Sequence, residues 1–81
     1  MGLEYKIKCT IPAGYDPAVL LRKLPSPINP SPMAEIYNYW IEEDGFHFVD
    51  NLVNEGVAAI AFKRFVNEAL RLSDSVEIIE P

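Results

Sequence analysis

Apolar and polar residues alternate from the start of the chain. Leu3, Tyr5, Ile7, Cys9 and Ile11 interleave with Glu4, Lys6, Lys8 and Thr10. A strand turns successive side chains to opposite faces, so this pattern predicts a strand with one buried face and one charged face. Pro12-Ala13-Gly14-Tyr15 reads as a turn, and Asp16-Pro17 as the N-cap and first position of a helix over 18–24. Leu20, Leu21 and Leu24 supply its apolar stripe, and Pro25 ends it. Two runs rich in aromatic and β-branched residues follow at 34–42 and 46–52, split by Glu43-Asp44-Gly45. An Asp-Gly pair between two such runs is a strong hairpin signal. Asn54 then caps a long helix over 55–72, and 76–79 forms a last short strand.

The order strand, helix, strand, strand, helix, strand predicts a single α+β domain over residues 1–81 with a ferredoxin-like βαββαβ fold. The expected sheet is antiparallel and four-stranded, in the order 4-1-3-2, with both helices on one face. On the long helix Ala58, Phe62, Phe65, Val66 and Ala69 fall on one side; Lys63, Arg64, Asn67, Glu68 and Arg71 fall on the other. The predicted core is Tyr5, Ile7, Cys9, Leu20 or Leu21, Leu24, Phe48, Phe62, Phe65, Val66 and Ile78. Residues 25–32 carry four prolines, which favours an extended, stiff connector. Pro27 and Pro30 form a Pro-x-x-Pro, but no Arg or Lys stands close beside them, so a spacer is expected rather than a ligand for an SH3-like domain.

A two-residue Asp44-Gly45 loop places Ile41 opposite Phe48, Trp40 opposite Val49 and Glu42 opposite His47. Tyr37, Tyr39, Ile41, Phe46 and Phe48 then share one face, and Ile36, Asn38, Trp40, Glu42, His47 and Val49 the other. A three-residue loop with a bulge instead puts Trp40 on the side of Phe48. The first sorting makes one face fully apolar and aromatic, as a one-sided sheet requires.

Charge and composition remove several functions. The 81 residues carry 12 acidic and 7 basic groups, net −5. Nucleic acids and anionic membranes both reward positive charge, so neither is an expected partner. Alternation that begins at Leu3 predicts no signal peptide, and Lys6 stands where a myristoylation signal needs Ser or Thr. The longest apolar-rich run, 57–62, is far below the ~18 residues of a membrane span. A single cysteine forms no internal disulfide and suits a cytoplasmic setting.

Little catalytic chemistry is left. One Cys and one His do not make a metal site. Cys9 lies on the apolar face of the first strand and reads as an inert core thiol. The four glycines are scattered, so no phosphate loop exists, and the loop after the first strand lacks the Arg of an acylphosphatase-like anion cradle. RNA-recognition domains of this fold stack bases on outward aromatics; here those positions hold Lys6, Lys8, His47 and Val49. His47 and Glu42 are a possible acid–base pair, yet no nucleophile or oxyanion donor accompanies them. No cofactor is expected.

What remains is the open sheet face: Ile36, Asn38, Trp40, Val49, His47, Lys6 and Lys8, with Thr10 and Ile79 beside them. Lys6 and Lys8 are expected to balance Glu42, Glu77 and Glu80. A Trp with an Ile and a Val on a solvated face points to a contact surface. The expected function is a small, non-enzymatic, cytoplasmic interaction or regulatory domain acting through that face, on a protein partner or as a homodimer. A small-molecule sensor of ACT-like topology is the alternative, and an enzyme using His47 with Glu42 the third reading.

Overall fold

The structure, a computed structural model, describes residues 2–24 and 36–81. The proline connector at 25–32, its Pro-x-x-Pro and the first residues of the predicted 34–42 run lie outside the described residues. Six elements are described: β1 (Leu3–Lys8), α1 (Ala18–Lys23), β2 (Tyr37–Glu42), β3 (Gly45–Asp50), α2 (Glu55–Leu72) and β4 (Glu77–Ile79). The four strands form one antiparallel sheet in the order β2-β3-β1-β4, the expected 4-1-3-2 read from the other edge. No helix among the described residues is long and apolar enough to cross a membrane.

Local chemistry explains the boundaries. The Asp16 Oδ1 accepts from the Ala18 N–H at 3.0 Å at the start of α1, although Pro17 rather than Asp16 occupies the capping position. The Asn54 Oδ1 accepts from Val57 N–H at 3.1 Å and so caps α2. β1 stops at Lys8, short of the alternating run, and the Cys9 N–H that follows still donates to the Asp44 carbonyl in the hairpin turn.

The hairpin register differs from the expected one. Glu42 faces Gly45, Ile41 faces Phe46 and Trp40 faces His47, so the two-residue loop is Glu43-Asp44 and Gly45 begins β3. The reason lies at Gly45. Its φ is +140°, and a Cβ there would stand 2.0 Å from the Ile7 carbonyl oxygen, so only glycine fits against β1 at this point. The pairing moves by two positions in total, which preserves the sorting of faces.

One face of the sheet carries the core. Ile7, Phe46, Phe48 and Tyr37 are buried there with Leu20 of α1 and Ala58, Ala61, Phe65 and Ala69 of α2. Both helices thus contribute to one cluster over the same face. Phe65 is the hub, in ring contact with Tyr39, Phe46 and Phe48 at 5.1–5.7 Å. Tyr5, Cys9, Leu24, Phe62 and Val66 are only partly buried around it. Of the two alternatives on α1, Leu20 is the buried one and Leu21 is exposed; one expected core position, Ile78 on β4, is exposed instead. α2 packs over β3 and β1, which leaves the three-residue edge strand at the margin.

Candidate functional site

The opposite face of the sheet is built by the even-numbered residues of β1 and β2 and by their register partners. Asn38 faces Val49, Trp40 faces His47, Lys6 faces both His47 and Ile79, and Lys8 faces Glu77. Directly opposed residues share a face, so Asn38, Trp40, Val49, His47, Lys6 and Lys8 are brought together as expected. Ile36 is not among them. It is 8% exposed and belongs to the core cluster. Its backbone is helical rather than extended, one residue before β2, so strand alternation does not govern where its side chain goes.

The centre of this face is an ion cluster. The Lys6 Nζ donates to Glu42 Oε1 at 2.7 Å and to Asp44 Oδ1 at 2.6 Å, and Lys6 is only 9% exposed. Burial by itself lowers the pKa of the ammonium; its bonds to Asp44 and Glu42 outweigh that and hold it above its ordinary value. The same contact holds the Asp44 carboxyl below the usual range. Lys6 therefore stays charged and is spent on the hairpin turn.

His47 pairs differently from the sequence expectation. Its Nε2 donates to Glu4 Oε1 at 3.0 Å, while Glu42 lies 3.9 Å from Nδ1 and is engaged by Lys6. The register explains the change: Trp40, not Glu42, stands opposite His47, and the Trp40 ring meets the imidazole edge-on at 5.3 Å and 84°. Glu4 and Asp44 were not singled out from sequence. Glu4 shares the parity of Lys6 on β1, which is the signal that locates it; Asp44 reads only as a turn residue.

Trp40 is 54% exposed, and Val49 and Ile79 are half-buried beside the cluster. Lys8 is exposed. The face thus carries four carboxylates, Glu4, Glu42, Asp44 and Glu77, against the ammonium groups of Lys6 and Lys8.

Chemistry elsewhere is sparse. Among the described residues, no group of three or more His, Cys, Asp or Glu side chains could hold a metal, and no buried side-chain nitrogen or oxygen lacks a partner. One open concavity at the end of the sheet is lined by Lys8, Cys9, Thr10, Asp44, Ser73 and Asp74, among others. Burial raises the pKa of the Cys9 thiol, and Ser73 Oγ is already taken by the Thr10 N–H at 2.8 Å. A second, apolar concavity lies between Leu3, Tyr5, Phe48, Leu52 and Phe62.

Glu68 was expected on the solvent side of the long helix and is instead 6% exposed. It accepts a short hydrogen bond from the Tyr15 hydroxyl and a two-point contact from Arg71, at 2.7 Å from Nε and 3.0 Å from Nη2. The turn that precedes α1 covers it, an effect no single-helix pattern contains.

No protein-family model, no curated protein and no solved structure matches this chain.

Proposed function

We propose that this chain is a small non-enzymatic interaction domain of ferredoxin-like fold whose outer sheet face binds an extended, basic, amphipathic segment of a protein partner. The observation that carries the reading is Trp40, a large aromatic more than half exposed on the face opposite both helices. Trp is the residue type most often found as a binding anchor, and here Val49 is its diagonal neighbour on β3, while Ile79 lies beyond His47 and Lys6 at the far side of the face. The surrounding charge favours a basic occupant over an acidic one, since carboxylates outnumber ammonium groups on the face and Lys6 is already neutralised by two of them.

The element order and the strand order support the ferredoxin-like assignment. A partly buried free thiol at Cys9 supports a cytoplasmic setting. The ACT-like sensor and the His47-based enzyme rank behind this reading. Among the described residues, neither concavity presents an unpartnered buried polar group, and no Ser, Thr or Cys hydrogen-bonds to Glu4 or His47.

Trp40 is the chain's only tryptophan, so its fluorescence reports on this face directly. A synthetic peptide of alternating Lys and Leu should produce a saturable blue shift that fades as salt is raised; a Glu–Leu counterpart should not. In calorimetry, Trp40→Ala should weaken the basic peptide roughly 30-fold, about 2 kcal/mol, with the circular dichroism spectrum unchanged. Equal response to both peptides, or binding that Trp40→Ala leaves untouched, is unspecific charge attraction and overturns the proposal.

A further inference from the structure

The two edges of the sheet are not alike. β4 is three residues long and begins with Glu77, and short charged edges resist further pairing. β2 is six residues long, Tyr-Asn-Tyr-Trp-Ile-Glu, with one charge, at its last position, and no proline. Among the described residues, no strand pairs with its outer side.

Which backbone groups face outward follows from the ladder. The Asn51 N–H donates to the Ile36 carbonyl at 3.1 Å, and these two residues are opposite each other in the β2–β3 register. Bonded and non-bonded pairs alternate in an antiparallel ladder. Asn38↔Val49, Trp40↔His47 and Glu42↔Gly45 are therefore the bonded pairs. Tyr37, Tyr39 and Ile41 turn their N–H and C=O groups away from β3, toward the open edge.

We propose that β2 pairs antiparallel with β2 of a second copy of this chain, centred on Tyr39, to make one eight-stranded sheet. In that register Tyr39 faces Tyr39, and Tyr37 of each copy faces Ile41 of the other. All three outward-facing residues of each strand then meet an outward-facing residue, giving six backbone hydrogen bonds. Centring the pair on Trp40 uses only two of the three and sets Glu42 opposite Asn38. Odd shifts put inner-face residues against outer-face ones.

Charge favours the same register. Glu42 is the strand's only charge, and centring on Tyr39 places it just past Tyr37 at the start of the other copy's β2, beside Ile36. The two Glu42 residues then lie six positions apart along the pair, roughly 20 Å, more than two screening lengths at physiological salt. The two-fold axis stands perpendicular to the sheet, so the helices of both copies stay on one side and the outer faces join. Trp40 of each copy then flanks Asn38 of the other. The inference is independent of what the outer face binds.

The test is amide hydrogen exchange of the whole chain at low and high protein concentration, with mass from sedimentation velocity. The expected result is a mass that doubles with concentration. The amides of Tyr37, Tyr39 and Ile41 should gain protection together with it, while Asn38 and Trp40 are protected throughout. Ile41→Pro removes an outward donor and no ladder bond, so it should stay folded and monomeric. Salt should tighten the dimer, because each copy carries −5, and loosen the basic peptide at Trp40. The Ile41→Pro monomer should still bind that peptide, which separates failure of one proposal from failure of the other. A monomeric mass at every concentration overturns the dimer, as does a dimer that leaves the three amides unprotected. Protection of those amides in the dilute monomer overturns it too.

Discussion

Phe65 has no exposed surface and touches three aromatic rings on two strands, whereas Phe62 leans on Tyr5 and Phe48 at the border of the core. Truncating a buried Phe costs about 3–5 kcal/mol, partly through the cavity it leaves. A partly exposed Phe leaves a cavity that water or neighbours can fill. Phe65→Ala should therefore lower the denaturant midpoint far more than Phe62→Ala, with Phe65→Ala near the total stability of a domain this small. Equal losses at the two positions, measured by urea unfolding, would mean that the helix buries both rings alike. Both rings read as core from the helical period; their ranking depends on the sheet beneath them.

At the scale of elements, the hairpin shows what a turn motif does and does not specify. The Asp-Gly pair marks a reversal correctly, but Gly45 serves β1 as well as the turn, since its hydrogen lies against the Ile7 carbonyl. Gly45→Ala combines a φ of +140° with a backbone overlap at 2.0 Å, and neither relaxes by moving a side chain. Where the backbone suits alanine, replacing glycine stabilises by about 0.4–1 kcal/mol; here the sign reverses and the loss should exceed that gain. Thermal melts followed by circular dichroism should find the variant unfolded or strongly destabilised. A near-native melting point would show that β1 and the hairpin can separate at this point without loss. The sorting of side chains survives the change of loop because parity, not the loop position, assigns faces.

At the scale of the whole molecule, Glu68 ties the turn before α1 to the end of α2 through Tyr15 and Arg71. Its bonds to Arg71 come first, then those to Tyr15, in holding its carboxyl below the usual range, against an opposing effect of burial. A carboxyl with a depressed folded pKa adds stability above its unfolded value near 4.5, and that stability is lost as the pH falls through the folded value. The Tyr15 hydroxyl is shifted the other way, upward from 10.0, first by burial and then by Glu68. Its contribution is present below pH 10 and is lost as the pH rises above that. Unfolding free energy measured across pH should thus fall at both ends, and Glu68→Gln should flatten the acid limb while Tyr15→Phe flattens the alkaline one. If Glu68→Gln leaves the acid limb unchanged, other carboxylates such as Asp44 set it.

The element order, the ends of the long helix and the two faces of the sheet were determined by the sequence alone. Each follows from a short-range rule: period two, period 3.6, a capping side chain, a glycine after an aspartate. Asn38, Trp40, His47, Val49, Lys6 and Lys8 came together because one parity rule runs along neighbouring strands. Only the tertiary structure decided the hairpin register, the burial of Ile36 and Glu68, the choice of Glu4 as partner of His47, and which donors of β2, those of Tyr37, Tyr39 and Ile41, turn away from β3. Each of those depends on a contact between segments distant in the chain. The approach of Ile7 to Gly45 and the cover of Tyr15 over Glu68 are set by packing, and no local pattern of residues encodes them.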